Sequence, residues 1–338
     1  MDIDIDDELN KKEQLKSELV QYLQSGHINF LIGSGASCPA IETFSDIEAQ
    51  LDAALEDPKE LSSKLSDFFK TIFDDQLHLI EDLDLILDQN TQNTQNVLDQ
   101  YEIFIDHIEQ LLHTRRNKLI PTQATIFTTN YDLYLEAACE GRANIRLNDG
   151  FLRNPTLGSK PKFSTSHFFT TLLDNSYSFN YEVKVPSINL IKLHGSLSWV
   201  RSDGDIVYDV TRDNFIKDNP EKHIALILPS KDKFRETVLG QIYSDLLRTY
   251  TIELSKENAL LLVFGFSFED EHILDLTLKA LRNPTLKIYI FCYSNEDEKN
   301  YESKFEGYSN VACITPNDLS CEKVEFSNFN DMLDIRSI

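Results

Sequence analysis

Short apolar runs alternating with helically spaced stretches constrain this chain more than any other feature. The runs are Ile28 to Ile32, Thr125 to Thr129, Ile188 to Leu193, Ile224 to Leu228, Ala259 to Phe264 and Leu286 to Cys292. Between and after them, Tyr131 to Cys139, Phe234 to Leu254 and Glu269 to Leu281 carry apolar residues at helical spacing. Strands of this length alternating with helices build βαβ units. The expected fold class is therefore α/β, a doubly wound and largely parallel sheet. In such sheets a ligand sits beyond the carboxyl ends of the strands, so the residues just past each run matter most.

The rest of the chain is expected to arrange itself around that sheet. Residues 1–27 read as an acidic leader and an amphipathic helix with Leu15, Leu19, Tyr22 and Leu23 on one face. Residues 28–44 and 119–295 form the sheet-bearing domain, and 45–118 a helical insertion. Within the insertion the polar stretch Gln89 to Asn96 is either a loop or a helix start. Residues 141–186 have no clean period and read as an elaborated loop, and 296–338 as a C-terminal extension.

Charge and cysteines narrow the chemistry. The net charge of −24 opposes binding to phosphate backbones and anionic lipid, so direct nucleic-acid binding is not expected. The densest basic stretch, Arg115, Arg116 and Lys118, reads as a helix C-terminus. The five cysteines, Cys38, Cys139, Cys292, Cys313 and Cys321, form no CxxC pair, which argues against a disulfide framework or a structural zinc site. No apolar run reaches membrane-spanning length and the acidic start, Met1 to Asp7, is unlike a signal peptide. The expectation is a cytoplasmic protein with no membrane association.

Four motifs stand at strand ends. The first, Gly33-Ser34-Gly35-Ala36-Ser37, suits close backbone approach to a pyrophosphate, although Cys38 stands where a dinucleotide fingerprint has its third glycine. A tight structural turn is the alternative. No Gly-Lys-Ser/Thr comes after it, which excludes a nucleoside triphosphatase loop. The second, Thr128-Thr129-Asn130-Tyr131-Asp132, reads either as a helix cap or as Asn130 projecting into a crevice with Asp132 beneath it. The third, Lys192-Leu193-His194-Gly195-Ser196, ends an apolar strand on an imidazole suited to base work, or on a structural histidine. The fourth, Gly265-Phe266-Ser267-Phe268-Glu269-Asp270, is a strand-end glycine with a small hydroxyl residue two positions on, and by itself reads as a turn plus helix cap. A serine-hydrolase Gly-x-Ser-x-Gly occurs nowhere.

In this order the motifs resemble the sirtuin family, over about Ile28 to Ser294 with large insertions between them. The resemblance implies a Rossmann-like NAD-binding domain and a reaction that begins by breaking the nicotinamide–ribose bond. It implies that Asn130 lies near the ribose and nicotinamide, that His194 acts as base, and that Asp132 orients the site. Gly33, Ser34, Gly35, Ala36 and Ser37 would hold the pyrophosphate. Thr129, Gly265 and Ser267 would contact the nucleotide, and Tyr293 and Ser294 would lie near the adenosine.

The departures are as informative. Deacetylating sirtuins carry a four-cysteine zinc module after His-Gly, and no cysteine lies between Cys139 and Cys292, so no metal is expected. Cys38-Pro39-Ala40-Ile41-Glu42 stands where they have Gly-Ile-Pro-Asp-Phe-Arg, and Thr129-Asn130-Tyr131-Asp132 where they have Gln-Asn-Ile-Asp. With Gly265-Phe266-Ser267-Phe268-Glu269-Asp270-Glu271-His272, the pattern is similar to the sirtuin-like domains of bacterial antiphage systems, which hydrolyse NAD on activation. That likeness implies NAD as substrate, a homo-oligomer, and a separate activating protein such as a HerA-like ATPase. A protein deacylase and a nonenzymatic module sensing NAD or ADP-ribose remain as alternatives.

Overall fold

A computed structural model describes residues 2–41, 60, 64, 72, 76, 79, 89–115, 120–153, 158–174, 183–211, 223–227 and 237–337. The helices are α1 (Asp2–Ser25), α2 (Gln89–Thr114), α3 (Tyr134–Cys139), α4 (Thr237–Leu254), α5 (Glu271–Ala280), α6 (Asn295–Lys304), α7 (Pro316–Leu319) and α8 (Phe326–Leu333). The strands are β1 (His27–Ile32), β2 (Gln123–Thr128), β3 (Arg146–Asn148), β4 (Leu173–Asp174), β5 (Val183–Lys184), β6 (Ser187–Lys192), β7 (Gly195–Ser202), β8 (Asp205–Tyr208), β9 (Ile224–Leu226), β10 (Ala259–Phe264), β11 (Lys287–Phe291) and β12 (Val311–Ile314).

Seven strands form one sheet in the order β12-β11-β10-β1-β2-β6-β3. Every pairing in it is parallel. The chain winds outward from β1 on one side, then returns to lay β10 against the other side of β1. The winding direction therefore reverses between β1 and β10, which makes that junction the topological switch point. The doubly wound α/β sheet read from the sequence is the fold observed.

Both faces of the sheet are covered, which is why the strands read as near-continuous apolar runs. Alternate residues point to opposite sides. Phe30, Ile126, Leu190 and Leu262 enter one core with Leu19 of α1, Phe104 of α2 and Phe329 of α8. Leu31, Phe127, Ile191 and Val263 enter the other with Tyr250 of α4 and Ile273 of α5.

Several boundaries differ from the sequence reading. The polar stretch at Gln89 opens α2, where Gln92, Gln95 and Asn96 sit on the exposed side. Of the insertion at 45–118, most other residues lie outside those described, as do Arg116 and Lys118. Arg115 holds other ends together: its guanidinium donates to the carbonyls of Leu23 and Gly26 behind α1 and of Pro121. The expected acidic leader is itself helical from Asp2. Within 141–186 the chain supplies β3, β4 and β5. The segment after 295 supplies the edge strand β12 and the core helix α8.

One expected strand belongs elsewhere. Ile224 to Leu228 read as a fourth strand of the parallel sheet, but β9 pairs antiparallel with β7 in a separate three-stranded sheet with β8. A short apolar run does not reveal its sheet. Here the chain turns back at Gly195, in the left-handed region at φ +88, and β7 leaves the main sheet with β9 beside it. A side chain there would also place Cβ 2.2 Å from the Ala225 carbonyl oxygen, so this position requires glycine.

Candidate active site

The strand register gathers the motifs. Lys192 pairs with Thr128, Thr128 with Ile32, Ile32 with Phe264, and Phe264 with Phe291. All these strands run the same way, so the loops after them emerge side by side along one edge. Asn130 and His194 each lie two residues beyond the Thr128–Lys192 pair, on adjacent strands.

At the switch point the loops after β1 and β10 close on each other. Gly33 N donates to the Phe264 carbonyl at 2.9 Å, Gly35 N to the Gly265 carbonyl at 3.0 Å, and Ala36 N to the Gly33 carbonyl at 3.1 Å. A Cβ on Gly33 would lie 2.3 Å from the Gly265 oxygen, and one on Gly35 2.8 Å from the Gly265 Cα. The glycines thus permit backbone-to-backbone contact, and three loop amides donate within the protein. Left-handed backbone occurs at Gly265, at φ +66, while Gly33 is extended at φ −106.

Beside this contact lies a buried polar network centred on Ser37. Its hydroxyl donates to Asp132 Oδ2 at 2.7 Å. Asn130 Nδ2 donates to it at 3.1 Å, and the Tyr101 hydroxyl lies 3.0 Å away. Because the Ser37 proton goes to the carboxylate, Tyr101 is the donor in that last contact. Asn130 Nδ2 also donates to the Gly33 carbonyl at 3.0 Å, which fixes the amide's orientation. Asn130 Oδ1 is buried and has no hydrogen-bond partner among the described residues.

Burial raises the Asp132 carboxyl above its ordinary range, with the nearby Lys192 ammonium pulling the other way. Burial, with the Asp132 charge adding to it, likewise pushes the Tyr101 phenol well upward. Lys192 is buried at the base of the site. It donates to the Asp132 carbonyl and pairs with Glu136 Oε1 at 2.8 Å, tying the end of β6 to the Asn130 loop. Burial also raises the Glu136 carboxyl, again opposed by Lys192.

His194 stands next to this network, its ring centroid 6.5 Å from that of Tyr131 and 6.2 Å from that of Tyr243. Its Nε2 lies 3.1 Å from Asp270 Oδ2, both side chains being largely buried. Asp270 thus reaches the histidine from the loop after β10. In the sequence this residue reads only as a helix cap, and it is one: Oδ1 accepts from His272 N and Ile273 N at the start of α5.

The remaining sequence candidates lie further along the edge. Ser34 and Thr129 are half-buried, and Ala36 is buried. Ser267 is exposed, its carbonyl accepting from Lys304 Nζ at 3.0 Å. Tyr293 is exposed, with Lys323 Nζ 2.9 Å from its hydroxyl and over its ring. Ser294 caps α6 through Asp297. Among the described residues no hydrogen bond joins Ser267, Tyr293 or Ser294 to Asn130 or His194. Nor do three His, Cys, Asp or Glu side chains converge there as metal ligands.

The order of these motifs on neighbouring parallel strands agrees with a family match. The model of the SIR2-like domain matches residues 124–314, more than half of the chain. The chain belongs to the SIR2-like domain family. None of the curated proteins matches it. The matched segment of this SIR2-like domain runs from β2 to the end of β12. It contains Asn130, Asp132, His194 and Asp270, while the Gly33–Ser37 loop precedes it and is brought to the same edge by β1. Membership ties the chain to NAD-using chemistry. No helix among the described residues is long and apolar enough to cross a membrane.

The sequence missed Asp270 as a partner of His194, and missed Tyr101 altogether. Asp270 carried a signal, since it closes the fourth motif. Tyr101 lies mid-helix in α2, where nothing local distinguishes it from a core tyrosine.

Proposed function

We propose that this SIR2-like domain hydrolyses NAD to nicotinamide and ADP-ribose. The observation that carries the reading is the placement of Asn130 and His194 two residues beyond one paired position on adjacent strands, beside the switch-point loop. Nicotinamide is already a cationic leaving group when joined to ribose, so the protein's task is to hold the sugar, shield developing charge and deliver water.

The residues suit NAD in one specific respect. Asn130 Oδ1 is a buried acceptor whose own amide nitrogen is pinned by Gly33 and Ser37. An unsatisfied buried acceptor is costly, and a ribose hydroxyl or an attacking water supplies the missing donor. His194 is the base that accepts a proton from water, directly or through a ribose hydroxyl. Asp132, through Ser37, holds the Asn130 amide in place. Gly33, Ser34, Gly35, Ala36 and Ser37 line the pyrophosphate position. With three of that loop's amides already donating internally, the helix-like turn and the Ser34 side chain carry more of the contact than a fully open amide cradle. Thr129, Gly265 and Ser267 contact the nucleotide, and Tyr293 and Ser294 flank the adenosine.

In a cell such an activity has to be gated, because continuous NAD loss is lethal. We therefore read the chain as an antiphage effector that depletes NAD once activated, through homo-oligomerisation and a separate activating protein such as a HerA-like ATPase. The test is incubation of the purified protein with NAD, alone and with the product of the neighbouring gene, and then product analysis. Nicotinamide and ADP-ribose in equal amounts support the reading. An O-acyl-ADP-ribose formed only with an acyl-lysine peptide would replace it with deacylation, and tight NAD binding without turnover under every condition would replace it with sensing.

A further inference from the structure

The loop that delivers Asp270 is built at some cost. Gly265 and Phe268 both take left-handed backbone, at φ +66 and +57, and for a bulky residue such as phenylalanine that conformation is unfavourable. Packing holds it there. The Phe268 ring is buried against Phe266 and Phe305, with centroids 5.0 Å away in each case. Lys304 Nζ donates to the carbonyls of Ser267 and Phe268 at 3.0 and 3.2 Å, and the Tyr301 hydroxyl donates to the Phe266 carbonyl at 3.1 Å. A helix cap alone needs none of this, since an aspartate in ordinary extended backbone caps equally well. The product of the arrangement is a carboxylate with one oxygen fixed by α5 and the other aimed at His194 Nε2.

From this geometry we infer that Asp270 is the positioning residue for His194, holding it as the Nε2–H tautomer with the Nδ1 lone pair free to act as base. The inference rests on the hydrolase reading for its kinetic consequence but not for its structural one. An ionised carboxylate only accepts hydrogen bonds, so a neutral His194 must place its single proton on Nε2 to meet it. Nδ1 is then the acceptor, and it has no hydrogen-bond partner among the described residues. The ring also lies beside the rings of Tyr131 and Tyr243.

Asp270→Asn separates this role from capping. The carboxamide oxygen must stay on the two backbone N–H groups of α5, because only an acceptor can meet them. Its NH₂ then faces His194 and donates to Nε2, which drives the ring proton to Nδ1. The variant keeps its cap and its fold but inverts the tautomer, and the base lone pair no longer faces the ligand.

The experiment is long-range ¹H–¹⁵N correlation of the histidine rings in uniformly labelled protein, held at a pH where the ring is neutral. His194 is assigned by the signal lost in His194→Gln. The expected result is Nε2–H in the native protein and Nδ1–H in Asp270→Asn, with unchanged thermal unfolding. Alongside it, kcat for NAD consumption falls about 10²–10⁴-fold and KM stays within a few-fold. Nδ1–H in the native protein, or an unchanged tautomer in a folded Asp270→Asn, overturns the inference. An inverted tautomer with no NAD turnover by the native protein in any state supports the positioning role and instead removes the hydrolase reading.

Discussion

Two stretches of the same sheet edge use their polar groups in opposite ways. At the switch point, the loop after β1 directs its amides into the protein: Gly33, Gly35 and Ala36 all donate to backbone carbonyls, Gly33 to the last residue of β10 and Gly35 to the loop after it. One and two strands away, the loops after β2 and β6 hold two acceptors, Asn130 Oδ1 and His194 Nδ1, that no described residue meets, while the Asn130 amide nitrogen and His194 Nε2 are each held by hydrogen bonds. Glycine at the first stretch serves closure of the protein upon itself. The second stretch holds two acceptors in fixed orientation, an arrangement that would suit the proposed chemistry.

Removing these two acceptors should therefore cost far more activity than stability. Asn130→Ala and His194→Ala are each expected to lower NAD consumption about 10²–10⁴-fold in the activated state, His194→Ala with an unfolding temperature close to native and Asn130→Ala with a loss of about 1–2 kcal/mol from its hydrogen bonds to Gly33 and Ser37. Because both act on one transition state, the double variant should be scarcely slower than either single one. His223→Ala, away from the edge, should turn over normally. A stability loss in Asn130→Ala as large as its activity loss would erase the contrast.

The glycines should behave the other way. Gly33→Ala places Cβ 2.3 Å from the Gly265 oxygen, and overpacking of this kind costs about 1–3 kcal/mol. Gly35→Val meets the Gly265 Cα, so its expected effect is a lowered unfolding temperature together with weaker NAD binding, measured by calorimetry and thermal scans. A fully stable Gly35→Val that has lost only NAD binding would show that this loop, too, is organised for the ligand.

Ser37 joins the two stretches and should show a mixed, smaller effect. Ser37→Ala leaves the Tyr101 hydroxyl without its acceptor, Asp132 Oδ2 without its donor, and the Asn130 amide nitrogen held by Gly33 alone. The expected loss is about 1–2 kcal/mol in chemical denaturation, with a reduced kcat.

The smallest effect concerns pH. Burial raises Asp132 above its unfolded value, so the folded protein holds that proton more readily than the unfolded chain. This contribution is complete below the unfolded carboxyl range and is lost as pH rises through the raised folded value. Asp132→Asn, which still accepts from Ser37, should gain stability relative to the native protein as pH climbs from acidic to neutral. A gain in the opposite direction would mean that the Lys192 charge outweighs burial.

The same division explains how far the sequence could be read. The parallel sheet was legible because strands covered on both faces must be apolar throughout, and the candidate site could be named because its residues stand immediately after those strands. Gly33 and Gly35 announced a close approach, but the sequence alone does not say whether a phosphate or another loop makes it. β9 was misplaced because a short apolar run does not specify its partner strand. β3 and β12 went unread, one being Arg146-Leu147-Asn148 and the other a half-buried edge. Asp270 and Tyr101 reach the site across distances in sequence that only the fold closes.

The most direct test of the proposed site is a crystal structure of the full chain grown with ADP-ribose at saturating concentration. The expected result is the pyrophosphate against Gly33–Ser37, the distal ribose between Asn130 Oδ1 and His194 Nδ1, and the adenosine toward Tyr293. ADP-ribose bound elsewhere, or a carboxyl edge that stays empty at saturation, would contradict it.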